Sequence, residues 1–231
     1  MNRVGIIIIF ILFSFILKAQ SGYIKVSGGK IIEGDFFKSK EYVLKNFTSA
    51  SVKFLNGEVY EAKININVLS QTLRFIGPEG DTLSALNEKM IASVSSGKLL
   101  FYKINNQYVQ VIDTDGETSL VLARYLNTGS EKITGAYGGT TDAASIQKVD
   151  VLNYDNKIEK ITSEATLFFN YRENMFLLNR GKLFPFAKRS LQKFYPKQKA
   201  FIEEYYANNN IQQDNREEII SFFTQVLLKN R

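Results

Sequence analysis

The 231-residue chain has no cysteine, no histidine, no tryptophan and only three prolines. Without cysteine there is no disulfide and no thiolate. Nor can the chain be a lipoprotein tethered through an N-terminal cysteine. Without histidine there is no imidazole base or ligand, which excludes Ser-His-Asp and Cys-His machinery and ordinary zinc sites. Tightly bound zinc, copper or iron is not expected, because those ions favour the missing sulfur and imidazole ligands. Without tryptophan, a sugar-stacking platform would fall to Tyr or Phe. Carboxylates, Lys, Tyr, Ser and Thr remain for chemistry. Long hydrophobic runs are also missing. Val4 to Leu17 is an uncharged stretch of fourteen residues, short of the roughly 20 apolar residues of a membrane helix. What is present is globular in balance: 45% apolar and 23% charged residues argue against a disordered chain.

That short apolar stretch follows Met1-Asn2-Arg3 and precedes Lys18-Ala19-Gln20. A basic start, a short apolar run and a small residue at a cut site make a secretory signal. Residues 1–19 are therefore expected to be removed after Ala19, leaving Gln20 as the new terminus; an uncleaved anchor helix is the alternative. The remaining 212 residues can bury a core without disulfides. Export to the periplasm, the cell surface or the medium is expected, with no transmembrane span in the mature chain.

From Tyr23 to about Phe186 the pattern is β. Ser51–Leu55 and Glu58–Ala62 flank Asn56-Gly57, a pair that accepts the positive φ angles of a type I′ turn. Ile64, Ile66 and Val68 alternate with Lys63, Asn65 and Asn67, the period of a half-buried strand. Leu73–Ile76 runs into the turn cluster Gly77-Pro78-Glu79-Gly80, and Asn105-Asn106 separates two further strands. Asp113-Thr114-Asp115-Gly116 turns into a strand from Thr118 to Leu126. Thr166–Tyr171 and Met175–Leu178 read as two strands, followed by a turn at Asn179-Arg180-Gly181-Lys182. Many short strands with short connections predict a mainly β fold, an antiparallel sandwich or barrel-like sheet over 20–186. Residues 127–145 are rich in Gly, Thr and Ala and read as a long mobile loop, either a binding lid or an inert insertion.

After Pro185 the period becomes helical. Ala187, Leu191, Phe194 and Tyr195 share one face, with Lys188, Arg189 and Lys193 opposite. Phe201, Ile202, Tyr205 and Tyr206 form a second stripe. Asp214, with Glu217 three residues later, has capping-box spacing before a stripe of Ile219, Ile220, Phe223, Val226 and Leu227. A small C-terminal cluster of short α-helices is predicted over 187–231.

Three parts of the chain carry a resemblance: the signal ending in Ala-Gln, the β region with Phe54-Leu55-Asn56-Gly57-Glu58-Val59-Tyr60 and Lys63-Ile64-Asn65-Ile66-Asn67, and the C-terminal part. The last runs Phe176-Leu177-Leu178-Asn179-Arg180-Gly181-Lys182, then Phe194-Tyr195-Pro196-Lys197-Gln198-Lys199, then the capped helix. Together they resemble uncharacterised secreted and envelope proteins of Bacteroidota. The resemblance implies a bacterial envelope setting and brings no activity, cofactor or catalytic residue.

Charge is uneven. Residues 180–199 hold Arg180, Lys182, Lys188, Arg189, Lys193, Lys197 and Lys199 and no acid, while the whole chain carries only +6. Such a run attracts anionic partners and speeds encounter with them; it also fits a solvated helix face. An envelope protein or an anionic lipid or glycolipid surface would suit it. Nucleic acid is electrostatically compatible but at odds with export. Asp113, Asp115 and Glu117 around Gly116 echo the start of a calcium loop, yet the distant bidentate Glu is missing and Asp-Gly between strands is ordinary hairpin chemistry. Glu203-Glu204 and Glu217-Glu218 are adjacent on helices, so neither pair faces one site. Asn46-Phe47-Thr48 matches a glycosylation sequon by accident in a bacterium, and Asp81-Thr82-Leu83 resembles the Bacteroidota O-glycosylation pattern, with Thr82 as acceptor.

The expectation is a non-enzymatic exported binding module without cofactor, whose basic C-terminal patch meets an anionic partner. A barrel-like carrier of a small apolar ligand is the alternative. A carboxylate-dependent hydrolase ranks last, since nothing in the sequence brings two carboxylates together.

Overall fold

The computed structural model describes residues 21–28, 30–134, 140–143, 165–212 and 215–230. The signal expected at 1–19, residues 146–164 of the expected β region and the cap expected at Asp214 lie outside them. The chain forms one large antiparallel sheet with short helices after it. The strands are β1 (Ser21–Ser27), β2 (Lys30–Glu33), β3 (Thr48–Phe54), β4 (Val59–Asn67), β5 (Thr72–Ile76), β6 (Thr82–Ser84) and β7 (Ile91–Ser96). β8 (Leu99–Ile104), β9 (Gln107–Asp115), β10 (Thr118–Thr134), β11 (Thr140–Ala143), β12 (Ala165–Asn179) and β13 (Lys182–Pro185) follow. Their order is β2-β1-β12-β10-β9-β8-β7-β3-β4-β5-β6, with β11 on β10 and β13 on β12. A six-residue helix, α1 (Asp35–Lys40), follows β2.

Turn chemistry sets the hairpins where the sequence places them, but the type I′ turn falls at a different one from that expected. Asn105 and Asn106 both adopt positive φ, 49° and 64°, and Ile104 pairs with Gln107, so this is the type I′ turn. At Asn56-Gly57 only Gly57 is left-handed, with φ 92°, and its N–H donates to the Phe54 carbonyl at 3.0 Å. The Asn56 side chain instead accepts from the Glu58 N–H at 3.1 Å. The loop is therefore a three-residue turn closed by a glycine bulge rather than a type I′ pair, because an Asx bond to the next strand competes with the left-handed state.

The region expected as a mobile loop at 127–145 is largely paired strand. β10 continues to Thr134 along β12, with Thr128 opposite Phe169 and Ile133 opposite Ala165, and β11 adds Glu131↔Ala143 to Thr134↔Thr140. Backbone ladder bonds outweigh the weak strand propensity of the small polar residues there; residues 135–139 and 144–145 lie outside the described ones. β12 likewise runs unbroken through 165–179 where two strands were expected, because each residue of the polar stretch Arg172-Glu173-Asn174 keeps a partner on β10.

The sheet curls on itself. β4 and β5 stand several strands from β8 and β9, yet Ile64, Ile66 and Leu73 share one core with Phe101 and Tyr108. Further along, Val68 and Leu69 pack with Ile24, Phe37, Leu126, Leu167 and Phe169. The path nevertheless ends at two edges, β2 and β6. Asn65 and Asn67, expected to face solvent, are buried, because residues 41–44 lie against them. Asn65 Oδ1 accepts from Leu44 N at 2.9 Å and its Nδ2 donates to Leu44 O at 2.8 Å. Asn67 Nδ2 donates to Glu41 Oε1 at 3.2 Å.

A polar clasp fastens the curl. Lys103 Nζ lies 2.9 Å from Glu88 Oε2 and 2.6 Å from the Gln71 carbonyl. Tyr108 Oη donates to the same Glu88 oxygen at 2.8 Å, and Leu73 N–H donates to the other. Gln71, in the β4–β5 turn at φ 51°, accepts from Tyr108 N at 3.0 Å and donates to the Arg124 carbonyl at 2.9 Å. Burial lowers the Lys103 ammonium pKa, and burial first, then the Glu88 charge, raises that of the Tyr108 phenol.

Candidate functional site: a basic surface on the helical cap

The basic run is carried by the turn after β12, by β13, and by α2 (Lys188–Phe194), a 3₁₀ turn at Pro196–Gln198, and α3 (Lys199–Asn208). These rest on the C-terminal helix α4 (Arg216–Asn230) and on one face of β10 and β12. The apolar periodicity explains the docking. Leu191, Tyr195, Ile202, Ile219, Phe223 and Val226 are buried together with Leu120, Leu122, Met175 and Leu177 of the sheet. Phe222 lies at the centre of this core and belongs to the same 219/222/223/226 spacing, next to the stripe expected from the sequence. It stacks on Tyr205 at 3.9 Å and meets Phe186, Phe201 and Tyr206 within 6.3 Å. Asn215 caps the helix start. Asn215 Oδ1 accepts from Glu218 N at 3.2 Å, an N-cap bond, and Asn215 Nδ2 donates to the Glu218 carboxylate at 3.0 Å.

With the apolar stripe buried, all seven cations point outward. Arg180, Lys182, Lys188, Arg189, Lys193, Lys197 and Lys199 are exposed. Among the described residues only Arg180 of the seven is in an ion pair, its Nε 2.7 Å from Glu117 Oε2 in the neighbouring turn. Lys193 places its ammonium 4.8 Å from the Phe184 ring centre and 5.4 Å from that of Phe194, two half-buried rings in edge contact at 5.0 Å. Lys188 and Arg189 open α2, whose first turn holds no acid. Cations there oppose the helix dipole, typically by about 0.3–1 kcal/mol each, so helix stability does not account for them.

The other candidates do not converge. Asp113 and Asp115 sit within β9, with Asp115 opposite Thr118 across a Gly116-Glu117 loop, and Glu117 turns to Arg180. Among the described residues no three carboxylates gather as a metal site would need. Glu203 accepts from Gln192 at 3.0 Å and Glu218 serves the cap, so neither paired carboxylate faces a cleft partner. Thr82 lies exposed on the three-residue edge strand β6. The aromatic seat of Lys193 has little signal in the sequence: Phe194 is its chain neighbour, but Phe184 reaches it only through the fold. Among the described residues no helix is long and apolar enough to cross a membrane. No family model, curated protein or solved structure matches the chain.

Proposed function

We propose that the protein is an exported, non-enzymatic binding module whose cap presents a basic surface to an anionic partner. The observation that carries this reading is the exposure of all seven cations of residues 180–199, six of them outside any ion pair among the described residues. The short basic and apolar N-terminus supports export. The sheet acts as the scaffold, since it shares one core with the helices that carry the charge. Co-purification from envelope extract tests the surface. Wild type should recover partners that Lys188→Glu with Arg189→Glu and Lys193→Glu does not, with circular dichroism unchanged. Recovery of the same partners at the same salt by the folded variant overturns the reading. Intact mass of the native protein tests export, and should give a chain starting at Gln20.

A further inference from the structure

The chemistry of the basic surface distinguishes between kinds of anionic partner. A protein–protein interface gains most of its affinity from a few large apolar or aromatic anchors that become fully desolvated, and it is depleted in Lys. The surface here has the opposite make-up. Five of its seven cations are lysines, and one of its two arginines is already engaged by Glu117. The large apolar side chains that stand exposed, among them Ile32, Leu55, Val59, Tyr60, Leu86 and Leu228, all lie outside residues 180–199. What the surface does offer is exposed ammonium groups beside two half-buried rings, Phe184 and Phe194, that Lys193 overhangs. Lysines gain from a plane of regularly spaced phosphates without needing an apolar anchor, and each is worth on the order of 1 kcal/mol at such a plane, about fivefold in affinity. Rings at the border of a cationic face suit the headgroup boundary.

Resting on the proposed function above, we infer that the partner of Lys182, Lys188, Arg189, Lys193, Lys197 and Lys199 is the phosphate headgroup plane of an anionic phospholipid bilayer. Binding is peripheral and reversible. An acidic protein would have to bind this surface almost without desolvated apolar contact.

Vesicle co-sedimentation at about 0.15 M salt, where exposed charges are screened beyond roughly 8 Å, decides this. Phosphatidylcholine vesicles with and without phosphatidylglycerol are compared, and immobilised polyglutamate stands in for an acidic protein. All proteins share one N-terminus. Wild type should pellet with the phosphatidylglycerol vesicles, remain in solution with phosphatidylcholine alone, and be released by added salt. Reversing Lys188, Arg189 and Lys193 to Glu should weaken vesicle binding by at least about a hundredfold. Reversing the equally exposed Lys53, Lys63 and Lys89 should weaken it far less. Equal loss in both triple variants would show attraction to net charge rather than to this surface and overturn the inference. Capture by polyglutamate without vesicle binding also overturns it while leaving the basic-surface reading intact. Capture by neither ends both.

Discussion

The helical cap is held by apolar contacts, with a cluster of rings set among aliphatic side chains. Phe222 meets Phe186, Phe201, Tyr205 and Tyr206, and Tyr195 meets Phe223 edge-on at 6.0 Å. The curled half of the sheet has an apolar core of its own, but its closure is fastened by Gln71, Glu88, Lys103 and Tyr108, polar groups whose bonds satisfy one another. The first arrangement is non-directional and tolerates changes of like volume. The second is directional and costly to leave half made. The cap therefore suits a platform for variable surface charge, whereas the clasp fixes one geometry of the sheet.

The largest effect should come from breaking the aromatic side. Phe222→Ala removes the ring at the centre of the cap core and should cost about 3–5 kcal/mol. Because Leu120, Leu122, Met175 and Leu177 of the sheet belong to that core, denaturation should shift as a single transition for the whole protein. A separate early transition, with the sheet melting where it did before, would show that the cap is only loosely attached. Breaking the polar side should come next. Glu88→Ala leaves the Lys103 ammonium, 7% exposed, without its carboxylate. The loss should approach about 3 kcal/mol, the lower part of the range for a broken buried ion pair, since Glu88 keeps some contact with water. Adding Lys103→Met should recover part of it. Denaturant curves of the two single variants and the double one give the coupling, and a purely additive cycle would deny the clasp.

The two regions also differ in how far they could be read from the sequence. The cap was legible because its stripes are local: Leu191 and Tyr195 are four residues apart, and Ile219, Phe223 and Val226 repeat along one helix. The strands were legible through their turns, and the chain adopts left-handed residues at Asn105, Asn106, Gly116 and Gly181 where turns were expected. The clasp was not, because Gln71, Glu88 and Tyr108 are brought together only by the curl, and nothing local distinguishes Glu88 from any surface carboxylate. Asn65 and Asn67 misled for the same reason. Their alternation with isoleucine signals an outward face, yet a distant loop buries it. The Gly- and Thr-rich stretch after Leu126 misled because pairing with β12 and β11, not composition, sets its state. Of the candidate surface, the cations were legible and the rings beside Lys193 were not.

Alkaline pH should act on both regions through tyrosines, with a smaller effect. Burial pushes the Tyr206 phenol in the cap up to about 12, and raises Tyr195 there and Tyr108 in the clasp as well. The folded state thus holds these protons more tightly than the unfolded chain, whose tyrosines titrate near about 10. Their contribution to stability is complete below that value and falls as pH rises from it towards about 12. Denaturant midpoints should be level from neutral pH to about 9 and then decline. Tyr206→Phe, which removes one such proton from the cap alone, should flatten that decline. A slope unchanged by Tyr206→Phe would assign the effect to the other buried phenols, Tyr195 in the cap and Tyr108 in the clasp.

The smallest expected change is also one of opposite sign, and it bears on why the cap is built as it is. Lys188 and Arg189 occupy the first turn of α2 with no acid beside them, where the partial positive charge of the helix end repels them. Lys188→Glu and Arg189→Glu should each stabilise the protein, by about 0.3–1 kcal/mol at low ionic strength and less as salt screens the dipole. Neither touches the buried stripe, since both side chains are exposed while Leu191 and Tyr195 face the core. Thermal melts of the single variants at low and high salt measure the effect. A rise in midpoint that shrinks with salt would mean that these two positions sacrifice stability, which is the expectation for residues retained to meet an anionic surface. A fall in midpoint would assign them a structural partner, and the functional surface would then narrow to Lys182, Lys193, Lys197 and Lys199.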